Sequence, residues 1–234
     1  FIIYITGIDQ YGSIEGVSRS DVNILLSVNP STGKILMVSI PRDSYVQIAG
    51  DGNDEYDKLT HSGIYGVNSS IRTLENLFGI QINYYFRVNF SSVISIVDVL
   101  GGIEVDNPRG FEALGGEYYF PEGVNYLSGE EALAFARERY NLGDGDLDRG
   151  RNQERVIAAM IQKATSPSIL FNYTGLLDVI SEEAQTNMPV EKITELINQQ
   201  ISEGTNWDIR NAELRGEGVT GLPSYAMPDY ELYM

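Results

Sequence analysis

Cysteine is absent from this sequence, which removes disulfides and thiolate metal sites from consideration. There is one histidine, His61, so a Ser-His-Asp triad would have to pass through it, and no GxSxG segment marks a nucleophilic serine. A lone histidine in an irregular acidic loop reads as structural. Basic charge is short overall: the formal net charge is −17, which argues against a nucleic-acid-coating surface. Lysine is shorter still, since the 16 basic residues are 12 arginines and 4 lysines. Arginine offers oxyanions a planar fork where lysine offers a point charge, so the bias fits phosphate recognition. No apolar run is long enough to cross a membrane, FIIYITGI being far too short. The chain begins at Phe1 and runs straight into a strand, so it reads as a piece of a longer protein, with an upstream anchor or signal left open.

What is present suits one α/β domain over residues 1–234, 42% hydrophobic. Its densest charge lies in AFARERYNLGDGDLDRGRNQERV, where Arg137, Arg139, Arg149, Arg151 and Arg155 gather around Asp144, Asp146 and Asp148. Five guanidiniums this close repel one another, and an anion such as a phosphate or pyrophosphate is the simplest reason to collect them. A solvated helix with internal salt bridges is the competing reading. Ser128 with Glu130 and Glu131 predicts a helix start. If that helix ends near Phe135, an extended ARERY points Arg137 and Arg139 to one side and Glu138 to the other. A second helix is expected near Arg149, with Gln153 one turn on and Val156, Ile157 and Met160 as an apolar stripe.

FIIYITGID, DVNILLSV and ILMVSI read as three strands, the last two joined by a turn at NPSTGK. If they form a meander, hairpin connectivity brings Asp9, Arg19, Asp21, Arg42 and Asp43 to one edge. Two facing carboxylates there suit magnesium, which typically takes one or two carboxylates plus substrate phosphates. The alternative is that Asp9 and Asp21 are ordinary strand-end residues, paired with Arg19 or solvated. Further along, VNSSIRTLENLFG predicts a helix closed by Gly79, INYYFRVNF a strand, SSVISIVDVLGG a helix and IEVD a strand. GGEYYF and VNYL read as a hairpin across PEG, PVEKITELINQQI as a helix opened by Pro189, and WDIRNAEL as a strand returning to the sheet. Val93, Ile94, Val97 and Leu100 make an apolar helix face, suited to core or to one wall of a lipid slot. The rhythm predicts a mixed central sheet flanked by helices, and the tail GLPSYAMPDYELYM is expected to pack as a strap.

Taken in order, GID at Asp9, SRSDVNILLSV, SIPRD at Arg42, DKLTHSGIYG at Lys58, DVLGGIEV, FARERY and GDLDRGRNQERVI resemble the LytR–CpsA–Psr proteins of Gram-positive cell envelopes, with SYAMPD closest to capsule-type members. The resemblance implies an α/β/α domain on the extracellular face of the membrane, tethered by an upstream transmembrane helix. It implies magnesium-dependent transfer of a glycan, such as capsular polysaccharide, from a polyprenyl-pyrophosphate carrier to peptidoglycan. By the same resemblance Asp9 and Asp21 are the metal-associated carboxylates and Arg42, Arg137, Arg139 and Arg149 the pyrophosphate clamp. Arg19, Lys58 and Gln153 lie beside it, and Asp146 matches the acid before the last clamp arginine. Asp9, Asp21, Arg42 and Arg139 are the expected catalytic set. The pattern departs at Asn152, where a further arginine is common, and Arg151 is expected to point elsewhere. A polyprenyl slot between sheet and helices would draw on Val93, Ile94, Val97, Leu100, Val156, Ile157 and Met160. A non-catalytic binder of polyprenyl phosphate and a pyrophosphatase acting on the carrier remain as alternatives.

Overall fold

The computed structural model describes residues 1–50, 54–143, 145–170, 173–214, 216–219 and 232–233. The Asp144 side chain and the SYAMPD strap lie outside the described residues, as does the side chain of Asp146.

The three leading strands are β1 (Ile2–Gly7), β2 (Val22–Asn29) and β3 (Lys34–Ser39), and they form the expected antiparallel meander. The β2–β3 turn is a short 3-10 stretch closed by Gly33, whose φ of 62° favours glycine. Short strands β4 (Tyr45–Gln47) and β5 (Tyr56–Lys58) pair with each other and lead through a 3-10 helix, Leu59–Tyr65, into α1 (Val67–Phe78). Gly79 closes α1 at φ 63°, as its sequence implied. β6 (Tyr84–Val88), α2 (Phe90–Val99) and β7 (Ile103–Asn107) follow. β6 lies parallel to β1, the crossover the βαβ rhythm called for.

One expectation fails in the middle of the chain. β9 (Tyr118–Phe120) does not pair with β10 (Gly123–Leu127); it pairs back with β8 (Phe111–Ala113), and β10 pairs with β7. The alternating buried residues Ile103, Val105 and Asn107 on β7 and Asn125 and Leu127 on β10 explain the choice, because that register puts both apolar sets on one face. Helices α3 (Gly129–Arg137), α4 (Asp146–Ala164), α5 (Pro167–Leu170) and α6 (Thr174–Glu183) come next, then β11 (Gln185–Thr186), α7 (Val190–Glu203), β12 (Asp208–Glu213), β13 (Gly218–Val219) and β14 (Leu232–Tyr233).

The main sheet runs β11-β6-β1-β2-β3-β12, with β12 parallel to β3. β2 shows why both faces are covered: Leu25 packs with Tyr4, Leu59 and Leu74 toward α1, whereas Ile24, Leu26 and Val28 pack with Ile157, Ala158 and Ile161 of α4. A third cluster joins α2, α3 and α4 to the small strands around Phe111, Phe120 and Phe135. The ring centroids there lie 5.0–5.3 Å apart, within the favourable range for aromatic pairs. The result is a mixed sheet with helices on both faces.

Candidate functional site

The meander delivers the convergence expected at one sheet edge. Asp21 N–H donates to the Gly7 carbonyl at 2.8 Å, which sets the start of β2 against the end of β1. Beneath it, a buried polar network fixes the turn: Tyr4 O–H donates to Asn23 Oδ1 at 2.6 Å, and Ser20 Oγ bonds Tyr4, Thr6 and Asn23. Fully buried Thr60 staples this turn to the segment after β3. Its N–H donates to the Arg42 carbonyl at 2.8 Å, its carbonyl accepts from Ser20 N–H at 2.9 Å, and its hydroxyl donates to Asp21 at 3.4 Å. Gly63 permits the staple, since a Cβ there would lie 2.5 Å from the Ser18 carbonyl oxygen and 2.6 Å from Ser20 N.

Arg42 donates from Nη1 to Asp21 Oδ1, and its Nε lies 3.8 Å from Asp43 Oδ1. That Nε is buried and has no hydrogen-bond acceptor among the described residues, so the guanidinium keeps an unused donor. Lys58, 5% exposed in its side chain, reaches Asp43 at 3.1 Å and extends the ionic chain inward. Burial raises the Asp21 carboxyl above its ordinary range, and the like charge of Asp9 adds to this; Arg42, Arg149 and Thr60 oppose it. Burial therefore outweighs the close arginine pair.

The arginine segment approaches from the other side. Ser128 caps α3 with a reciprocal box to Glu131. The helix runs two residues past Phe135 and ends at Arg137, with Glu138 extended (ψ 136°). Glu138 turns inward, 6% exposed, and accepts from Tyr140 N at 2.7 Å and Asn141 N at 2.9 Å. Arg139 is exposed. Arg137 lies 4.0 Å from Asp9 and 4.1 Å above the Phe90 ring, a cation–π contact that fixes its direction. α4 opens three residues before Arg149, and Arg149 and Gln153 line one cleft with Asp21 and Arg42.

Two expectations need adjusting, for Arg151 and for the apolar stripe. Arg151 lines this cleft too, held 2.6 Å from Asp148, although helical spacing from Arg149 points it elsewhere. Asn152 is buried, donating to the Phe135 carbonyl and accepting from Arg155, so it anchors α4 against α3. The apolar stripe splits: Val156 and Met160 face α2 and α3 with Val93, Val97 and Leu100, whereas Ile157 faces the sheet. Successive helical residues differ by about 100°, which separates Val156 from Ile157. The Ile94 backbone lies against Gly129 at the start of α3. Arg19 is exposed at the edge, while His61 is buried with Nδ1 2.8 Å from Asp57, a structural contact. Phe90 and Thr60 were not singled out beforehand; neither carries a charge that would have marked it.

Residues 1–233 match the LytR_cpsA_psr family. Among curated proteins, the chain is 35% identical over 237 residues to the polyisoprenyl-teichoic acid–peptidoglycan teichoic acid transferase TagU of Oceanobacillus iheyensis, covering 98% of this chain and 72% of that protein. Among solved structures, B. subtilis TagU superposes with a TM-score of 0.72 at 32% identity, over 94% of this chain and 86% of that one. A structure of TagT bound to LI-WTA superposes with a TM-score of 0.76 at 27% identity, over 100% and 83%. With the match running nearly end to end, the chain belongs to the LytR–CpsA–Psr family.

Proposed function

We propose that this chain transfers a glycopolymer from a polyprenyl-pyrophosphate carrier to peptidoglycan, as one domain held at the extracellular face of the membrane. The observation that carries the reading is the single cleft shared by Asp21, Arg42, Arg149 and Gln153, with the Asp9–Arg137 pair beside it. Arg42 lines that cleft with 24% of its side chain in solvent, so the exposed part of its guanidinium can donate to a phosphate oxygen. The likeness to TagU teichoic acid transferases favours a teichoic-acid-type polymer over a capsular one.

The cleft encloses about 30 Å³, room for little more than a water. A pyrophosphate would therefore lie across its mouth rather than inside it. Arg42 and Arg149 would hold it from below and Arg137 and Arg139 from the rim, with Arg19 and Lys58 adding positive charge nearby. In the transfer, a peptidoglycan sugar hydroxyl attacks the sugar-linked phosphorus and polyprenyl phosphate leaves. Such steps depend on alignment and charge neutralisation more than on covalent help from the protein.

Magnesium would be held by Asp9 and Asp21, hard oxygen donors of the kind it takes. The like charge of Asp9 helps to raise the Asp21 carboxyl, and a dication held by the two would offset that. Among the described residues no group of three or more His, Asp or Glu side chains forms a metal cage, so the remaining ligands would be phosphate oxygens and water. When bound, the ion would supply charge neutralisation at the bridging phosphate oxygens. An apolar slot for the polyprenyl chain would draw on the Val93, Val97, Leu100, Val156 and Met160 surface, closed by side-chain packing here.

The test incubates the protein with a lipid-pyrophosphate oligosaccharide and peptidoglycan, with and without magnesium, and seeks a phosphodiester-linked product by mass spectrometry. Product that requires magnesium supports the reading. Release of phosphate without peptidoglycan points to a pyrophosphatase, and carrier bound without turnover points to a sensor.

A further inference from the structure

A second cavity lies at the far end of the same sheet. β3 runs from Ser39, in the active cleft, back to Lys34, and the preceding Gly33 meets Thr205 and Asn206 closely: a Cβ on Gly33 would approach Thr205 Cγ2 to 2.6 Å. Five residues of strand separate the two ends by about 17 Å. There the end of α4, the start of α5, the end of α7 and the approach to β12 enclose about 500 Å³, within the range of small-molecule sites, about 300–1,000 Å³.

Its chemistry contrasts with that of the active cleft. None of the ten lining residues carries a charge, although 21% of the chain is charged. The apolar surface comes from Trp207, Ile201 and Pro167, and amide groups come from Gln162, Gln200 and Asn206. Trp207 is held in place: its Nε1–H donates to Gln200 Oε1 at 2.9 Å, while Gln200 Nε2 donates to the Thr205 carbonyl at 2.8 Å. Gln162 and Asn206 are exposed, with no side-chain hydrogen bond among the described residues. A fixed indole beside free amides and no charge is poorly suited to phosphate, cations or anionic polymer. It matches a neutral sugar, whose C–H faces lie on aromatic surface and whose hydroxyls or acetamido groups bond amides. We propose that this cavity binds a neutral saccharide, independently of the transfer site.

The molecule contains its own probe, because Trp207 is the only tryptophan. Chitotetraose, a neutral N-acetylglucosamine tetramer, is titrated into the whole chain to about 10 mM while tryptophan emission is followed. A saturable change in emission is expected, weakened about tenfold or more in the Gln162→Ala/Asn206→Ala double variant. Both side chains are exposed, so the variant should keep the parent melting temperature and baseline emission. Farnesyl phosphate is titrated in parallel as an apolar-chain probe and is expected to leave the emission unchanged. No saturable response to chitotetraose overturns the proposal, as does a response that survives unchanged in the double variant. A saturable response to farnesyl phosphate that chitotetraose cannot displace would assign the cavity to an isoprenoid chain and overturn it too.

Discussion

Replacing Arg42 with alanine removes the residue on which the site's electrostatics turn. Its loss takes the ion-pair partner from Asp21 and one of two cations from Asp43, with 24% and 17% of the Arg42 and Asp21 side chains in solvent. Breaking a fully buried pair costs about 3–5 kcal/mol; partial exposure and screening reduce this to about 1–3 kcal/mol. For a chain of this size the melting temperature should fall by about 2–10 °C. Transfer activity should fall by about 10³-fold or more, the scale on which cationic groups act in phosphoryl transfer. Arg42→Lys restores charge without the fork and should recover stability better than activity. In an Asp21→Asn background the stability cost of Arg42→Ala should shrink, because the stranded carboxylate is gone. Thermal unfolding and the mass-spectrometric transfer assay on the four proteins of that cycle read both effects. Transfer by Arg42→Ala within tenfold of the parent would refute the clamp.

Arg139→Ala, at an exposed position, should abolish transfer while moving the unfolding free energy by no more than about 0.5 kcal/mol; a large thermal shift would make Arg139 structural. Asp21→Asn should raise the melting temperature at neutral pH while silencing transfer. Its folded pKa is raised, so the ionised form opposes folding and that cost disappears below the unfolded pKa; a lower melting temperature would reverse the sign. Tyr4→Phe should cost about 1–3 kcal/mol by stripping Ser20 and Asn23 of a buried partner. Burial raises the Tyr4 pKa above 10.0, so its contribution holds below pH 10 and fades as pH rises through the folded value. Unfolding curves of both proteins from neutral to alkaline pH check this. Gly63→Ala should cost about 1–3 kcal/mol by overpacking and should weaken farnesyl pyrophosphate binding by displacing the Arg19 segment, measured by calorimetry.

The site was legible where chain geometry alone brings residues together. A meander forces the end of β1, the start of β2 and the end of β3 to one edge, so Asp9, Asp21 and Arg42 could be grouped from strand boundaries. The Ser128 cap carried through, but the extended start of ARERY did not: Arg137 is the last residue of α3, so the period-two pairing with Arg139 does not apply there. Legibility failed where long-range packing decides. GGEYYF and VNYL look like partners because they are neighbours in sequence, yet their apolar faces are matched by earlier strands. Val156 and Ile157 look like one stripe until the sheet claims one and α2 and α3 the other. Arg151 enters the cleft because Asp148 holds it, a pairing that spacing from Arg149 does not reveal. Thr60 and Phe90 carry no charge pattern and became visible only through their contacts with Arg42, Asp21 and Arg137.

The central claim is that guanidiniums from three separate segments grip one diphosphate headgroup. A crystal structure of the protein with farnesyl pyrophosphate and magnesium tests it most directly. The account predicts phosphate oxygens within hydrogen-bond distance of Arg42, Arg139 and Arg149, with density for a cation touching Asp9 and Asp21. A diphosphate bound elsewhere, or one held while Arg42 stays paired with Asp21 alone, would contradict it.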